Sequence, residues 1–119
     1  MKAWMAVALT ALSMGALAGE AASRRDGALV DAQGMTLYVF DKDAAGSGRS
    51  ACNQACAALW PPLLAAAEDS APEGFSRIRR DDGQTQWAYQ GKPLYRFAKD
   101  GKPGERAGDG FKEVWHVAR

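Results

Sequence analysis

The chain has 119 residues, 15 of them Lys or Arg, 14 Asp or Glu, and a single His. That length leaves room for one domain once any targeting segment is set aside. Lys2 is the one charged residue of 1–18, so the remainder carries 14 basic and 14 acidic side chains. A neutral balance argues against nucleic acid or an anionic lipid surface as the partner.

Residues 1–18 read as a signal peptide. Lys2 supplies the positive start, and the apolar run Ala3 to Ala18 is too short for a membrane span. It ends on the small-x-small pattern Ala16-Leu17-Ala18, so cleavage is expected after Ala18, with Ala22 as the alternative. Residues 19–27 have no periodicity and are expected to be a disordered leader. A single β-rich domain is expected over 28–118.

Ala28 to Asp31 and Met35 to Phe40 read as a hairpin around the turn Asp31-Ala32-Gln33-Gly34. Asp41 to Ser50 is a polar loop. Ser50 is placed to cap a short Ala-rich helix over 51–59, which Pro61 and Pro62 stop. Leu63 to Glu68 is a further helical turn or a packed loop, and 69–74 a linker. Phe75 to Arg80 and Gln84 to Gln90 read as a second hairpin around Asp81-Asp82-Gly83. Leu94 to Ala98 is a strand, residues 99–110 a long Gly-rich loop, and Phe111 to Ala118 the closing strand. The expected fold is mainly β with a minor helical part. About six antiparallel strands accompany one short helix at the Cys-x-x-x-Cys segment.

One segment occurs twice, offset by 57 residues. Gln33-Gly34-x-x-Leu37-Tyr38-x-Phe40-x-Lys42-Asp43 matches Gln90-Gly91-x-x-Leu94-Tyr95-x-Phe97-x-Lys99-Asp100, with seven identities in eleven positions. Repeat one is expected over 28–68 and repeat two over 75–118. Side chains alternate across a strand, so Tyr38 and Phe40 share a face, as do Tyr95 and Phe97. That aromatic face is expected to be the core. Leu37 and Val39 face the other way, where the second copy has Leu94 and Arg96, so the leucine face of copy two is expected to be partly solvated. Asp43 and Asp100 stand where a carboxylate accepts backbone N–H groups of the following turn.

The motif Y-x-(F/W/Y)-x-x-D stands here as Tyr38-Val39-Phe40-Asp41-Lys42-Asp43 and Tyr95-Arg96-Phe97-Ala98-Lys99-Asp100. With Cys52-x-x-x-Cys56-Ala57, Trp60-Pro61-Pro62-Leu63, Gln86-Trp87-Ala88-Tyr89, Gly91-Lys92-Pro93 and Gly108-Asp109-Gly110, it resembles the bacterial secreted-repeat, or predicted lipoprotein, family. The resemblance covers about residues 28–117. It implies a periplasmic or secreted protein from a family with no assigned activity. The chain departs from lipoprotein relatives at one point. Glu20 stands where a lipobox would end in Cys, so no lipid anchor is expected.

Cys52 and Cys56 carry the only thiol chemistry. In an oxidising compartment a disulfide is the default, contributing about 2 kcal/mol for so short a loop. On a regular helix, Cβ atoms four residues apart sit about 5–6 Å from each other. A disulfide wants roughly 3.5–4.5 Å, so Cys52 must lie in a frayed first turn or the helix must deform. The alternative is a redox-active pair, against which stands the spacing of three rather than two intervening residues.

His116 is the only His and is expected to be a partly exposed strand residue. Asp41, Asp43, Asp100 and Asp109 come together only if the halves pack symmetrically. No metal site and no cofactor are expected. Trp60, Trp87, Tyr89 and Trp115 either line a carbohydrate or peptide groove or pack in the core. Arg77 to Arg80, followed by Asp81-Asp82, reads as a self-neutralised strand end. No nucleophile motif or phosphate loop is present. The composite expectation is a non-enzymatic binding or structural module of the cell envelope, its partner unnamed. A thiol–disulfide or metal-linked redox protein using Cys52 and Cys56 is the alternative.

Overall fold

The computed structural model describes residues 22–66 and 70–119. The expected signal peptide, residues 19–21 of the leader and the end of repeat one lie outside the described residues. Among the described residues, seven short strands form, in order, β1 Ser23–Arg25, β2 Ala28–Val30, β3 Tyr38–Phe40, β4 Phe75–Arg79, β5 Thr85–Tyr89, β6 Lys92–Pro93 and β7 Trp115–Val117. One helix, α1 Ala55–Leu59, lies between β3 and β4. The sheets are antiparallel: β1 with β2, β3 with β7, and β4-β5-β6.

The hairpin expected in the second half forms around Asp82-Gly83, with Phe75 opposite Tyr89 and Arg79 opposite Thr85. In the first half the Asp31 turn also forms. Asp31 Oδ1 accepts the N–H groups of Gln33 and Met35, both at 2.9 Å. Its strand is shorter than expected, however. Thr36 makes a single bridge to Val30, and β3 begins only at Tyr38, where its main partner becomes β7.

Four further expectations are corrected. The leader is not disordered through its described part, because Ser23–Arg25 pairs with β2. The turn between them is Asp26-Gly27, both at positive φ (52° and 79°), the geometry that tight two-residue hairpins prefer. The helix starts at Ala55 rather than Ala51, and Ser50 does not cap it. The reason is competition for the backbone. Asp43 Oδ1 takes the Ala51 N–H at 2.6 Å, Ser50 Oγ the Cys52 N–H at 3.2 Å, and Arg80 Nη2 donates to the Cys52 carbonyl at 2.7 Å.

Leu94 to Ala98 is not a continuous strand either. Its neighbour is Pro61-Pro62, which lacks N–H donors and cannot return a ladder. Arg96 N–H donates to the Pro61 carbonyl at 2.7 Å, and only isolated bridges at Tyr95 remain. Finally, residues 111–113 form a 3-10 turn, with Lys112 and Glu113 at positive φ, and β7 begins only at Trp115.

The core has two parts, one on each face of the duplicated strands. Tyr38, Tyr95, Phe97, Trp60, Trp115 and Val117 are buried in the aromatic part, with Phe40 packed against it. Leu37, Leu94, Leu29, Trp87 and Ala118 are buried in the other. The leucine face is therefore not solvated in copy two: Leu94 is as completely buried as Leu37. Arg96 does reach water on that side.

The two halves are interlocked. The segment that follows each motif strand packs beside the other half's motif strand. Trp115–Val117 pairs with Tyr38–Phe40, while Pro62 bridges Tyr95. Neither motif strand finds its closing partner within its own repeat.

Candidate functional site

Tyr38 and Tyr95 meet where the halves join. Each N–H donates to the other's carbonyl, at 2.8 and 3.0 Å. The hydroxyls then cross over. Tyr38 donates to Asp100 Oδ2 at 2.7 Å, and Tyr95 to Asp43 Oδ2 at 2.5 Å. Each Asp closes its own loop with the remaining oxygen, Asp100 taking the Ala107 N–H at 2.9 Å as Asp43 takes that of Ala51. The glycines of the motif cross in the same way. Gly46 N–H donates to the Gly91 carbonyl and Gly104 N–H to that of Gly34. A Cβ on Gly91 would stand 2.7 Å from the Gly46 nitrogen, which forbids any side chain there.

Burial, and then the facing carboxylate, push both phenols well above their ordinary value. Burial also raises the Asp43 carboxyl above its ordinary 3.8, against the opposing pull of Tyr95, the Ala51 N–H and Arg80. The folded chain therefore holds a proton that the unfolded chain releases. The stability this group contributes is full below about 3.8 and declines as pH rises through its folded value. Urea midpoints measured from pH 3 upward should show that decline, and Asp43→Asn should remove it. A contribution that rises with pH over the same window would contradict the burial argument.

The Asp43 end is more elaborate than the Asp100 end. Arg80, only 3% exposed, donates to Gln86 Oε1 at 2.8 Å and to Ser50 Oγ at 3.1 Å, besides the Cys52 carbonyl. Ser50 Oγ in turn lies 2.6 Å from the Tyr95 oxygen. Arg80 is thus more than a self-neutralised strand end: Asp82 stands 3.9 Å from its Nε, but its shorter contacts are the long-range ones. The long-range partners are what bury it, and no local signal in Arg79-Arg80-Asp81-Asp82 announces them. The Cys52–Cys56 disulfide forms beside this network, with Cα atoms 5.2 Å apart and Cys52 outside the helix.

The four aromatic groove candidates do not line one groove. Trp60 stacks on Trp115 at 3.8 Å with an interplanar angle of 1°, inside the aromatic core. Trp87 lies in the other core part. Tyr89 is half-buried at the surface, where Arg24 Nη2 donates to its hydroxyl at 2.9 Å. The four carboxylates do not converge. Asp43 and Asp100 hold opposite loops, Asp109 accepts the Val117 N–H at 3.1 Å, and Asp41 pairs with His116. No group of three or more His, Cys, Asp or Glu fit to hold a metal exists among the described residues.

Asp41 and His116 face a surface cleft of about 310 Å³. Asp41 Oδ2 and His116 Nε2 are 2.8 Å apart, and both side chains are about half exposed. The cleft is walled by Tyr89, Gln90 and Lys92 and floored by Val39, Leu94 and Val117. The expectation for His116 as a partly exposed strand residue holds. Its pairing with Asp41 was legible only in the register that sets Val39 opposite His116.

A family model described as a secreted repeat of unknown function matches the chain twice, over residues 20–64 and 76–119. No curated protein and no solved structure gives a significant match.

Proposed function

The chain belongs to a family of secreted repeats of unknown function, matched by both of its halves; from that premise we propose that it is a non-catalytic binding or structural module of the cell envelope. The family is a secreted one, so the work is extracytoplasmic, and no described helix is long and apolar enough to cross a membrane. One observation carries the reading. The duplicated residues are spent on one another. Both Tyr hydroxyls and both Asp carboxylates are buried in crossed hydrogen bonds, and Trp60 and Trp115 are buried face to face. A motif used up in joining two halves supports a scaffold role. The disulfide fits the same role, since it pins the loop whose backbone Asp43, Ser50 and Arg80 hold.

Thiol–disulfide exchange is the second reading, and one observation favours it. Cys52 is fully buried, whereas Cys56 is half-buried and more open to an attacking thiolate. Equilibration against dithiol–disulfide buffers separates the two. The scaffold reading expects a midpoint below about −300 mV and no turnover of a small disulfide. A higher midpoint together with turnover would replace it with the redox reading.

A further inference from the structure

The halves agree in their scaffold and differ at the cleft, and that difference points to a ligand. Asp41 and Ala98 are counterparts, each donating its N–H to the other half's closing segment, Asp41 to the Val114 carbonyl and Ala98 to that of Leu59, both at 2.8 Å. His116 follows Trp115 as Pro61 follows Trp60, and each stands beside a motif strand. Lys92 corresponds to Met35 by the 57-residue offset. Three polar groups that face one cleft thus have Ala, Pro and Met as their counterparts. Folding does not require them, because the equivalent seam closes without them.

We propose that this cleft binds a small organic monoanion, a carboxylate joined to a short apolar body. The inference rests on the binding-module reading and names its ligand class. Half-buried Val39 and the half-buried Tyr89 ring give the cleft its apolar surface, over the buried Leu94 and Val117. Lys92 is exposed and has no ion-pair partner among the described residues. The one acidic side chain lining the cleft, Asp41, is already engaged by His116. An ionised carboxylate only accepts, so His116 Nε2 carries the hydrogen of that contact. Lys92 is therefore the cation left open to a guest, Arg119 having its Nη1 on the Gly27 carbonyl, and among the lining side chains the two outnumber Asp41, so the lining favours a negative guest.

The wall is set in advance. Arg24 and Gln90 both donate to the Tyr89 hydroxyl, at 2.9 and 3.3 Å. Gln90 itself is held at φ 51°, a conformation rarely adopted by a residue with a side chain. A cleft so prepared has less ordering cost to meet when a guest enters.

The test is an amide chemical-shift titration of the full exported chain with hexanoate, hexanol, hexylamine and inorganic phosphate. Saturable shifts with hexanoate are expected at residues 39–41, 89–94 and 115–118, with weaker binding of the other three probes. Lys92→Gln should weaken hexanoate about five- to tenfold and leave hexanol unchanged. The variant's own spectrum reports that it is folded. Absence of hexanoate shifts, shifts elsewhere, equal binding of hexanol, hexylamine or phosphate, or indifference to Lys92→Gln would each overturn the assignment. None of those results touches the scaffold reading, which is tested separately by the disulfide's midpoint and turnover.

Discussion

Trp60→Ala is expected to cost about 3–5 kcal/mol, the range for deleting a fully buried large aromatic. Trp60 is 2% exposed and touches both halves. It stacks on Trp115 at 3.8 Å and on Phe97 at 4.3 Å, and meets Tyr38 edge-on at 5.3 Å. The backbone of Gly108 lies against the same ring. A Cβ there would come within 2.7 Å of the indole. The hole left by truncation therefore opens at the seam, where the surrounding loops are already fixed by Asp43 and Asp100. Domains of this size have about 5–15 kcal/mol of stability in all, so the variant should be close to unfolding at 37 °C. Urea denaturation would measure the loss. Leu64→Ala is the control, because Leu64 is 48% exposed and should change stability by about 0.5 kcal/mol or less. A Trp60→Ala cost no larger than that of the control would show that the shared aromatic interior does not hold the halves together.

The second large effect is expected at Asp100. Asp100→Ala removes the acceptor of the buried Tyr38 hydroxyl and that of the Ala107 N–H. An orphaned donor costs roughly 1–3 kcal/mol, so the two together should cost about 2–6 kcal/mol. Asp43→Ala should cost less at the tyrosine, because Ser50 Oγ, 2.6 Å from the Tyr95 oxygen, remains as a partner. Tyr38→Phe alone leaves Asp100 with the Ala107 N–H and should be the milder change. Combined with Asp100→Ala it should add less than its separate cost, since the hydroxyl it deletes is the one left stranded. Strict additivity of the pair would mean that the Tyr38–Asp100 contact contributes nothing to joining the repeats.

The positions of the hairpins, the duplicated motif, the aromatic core face and the disulfide were legible from short windows of the chain. Alternation and turn chemistry act over a few residues, and Asp82-Gly83 or Asp31 carries its whole signal locally. The Asp26-Gly27 turn carries the same kind of signal and sits in the segment read as a leader. Its strand is anchored through Arg24, whose partners Tyr89 and Arg119 lie 65 and 95 residues away. Distance along the chain likewise hid the burial of Arg80 and the shortening of α1, both decided by partners from other elements.

The crossing of the repeats was hidden for a different reason. Two copies with the same residues are degenerate: Tyr38 has an Asp five residues on in its own repeat and an identical one in the other. Local pattern cannot choose between them. Sequence alone determined that Tyr, Phe and Asp would be duplicated and that the aromatic face would be buried, and it left the Trp residues between a groove and the core. The tertiary structure decided that each tyrosine bonds the aspartate of the opposite half, because each closing segment finds its backbone partners on the other half's strand. It also decided that the same exchange leaves Asp41 and His116 facing water at one of the two seams only.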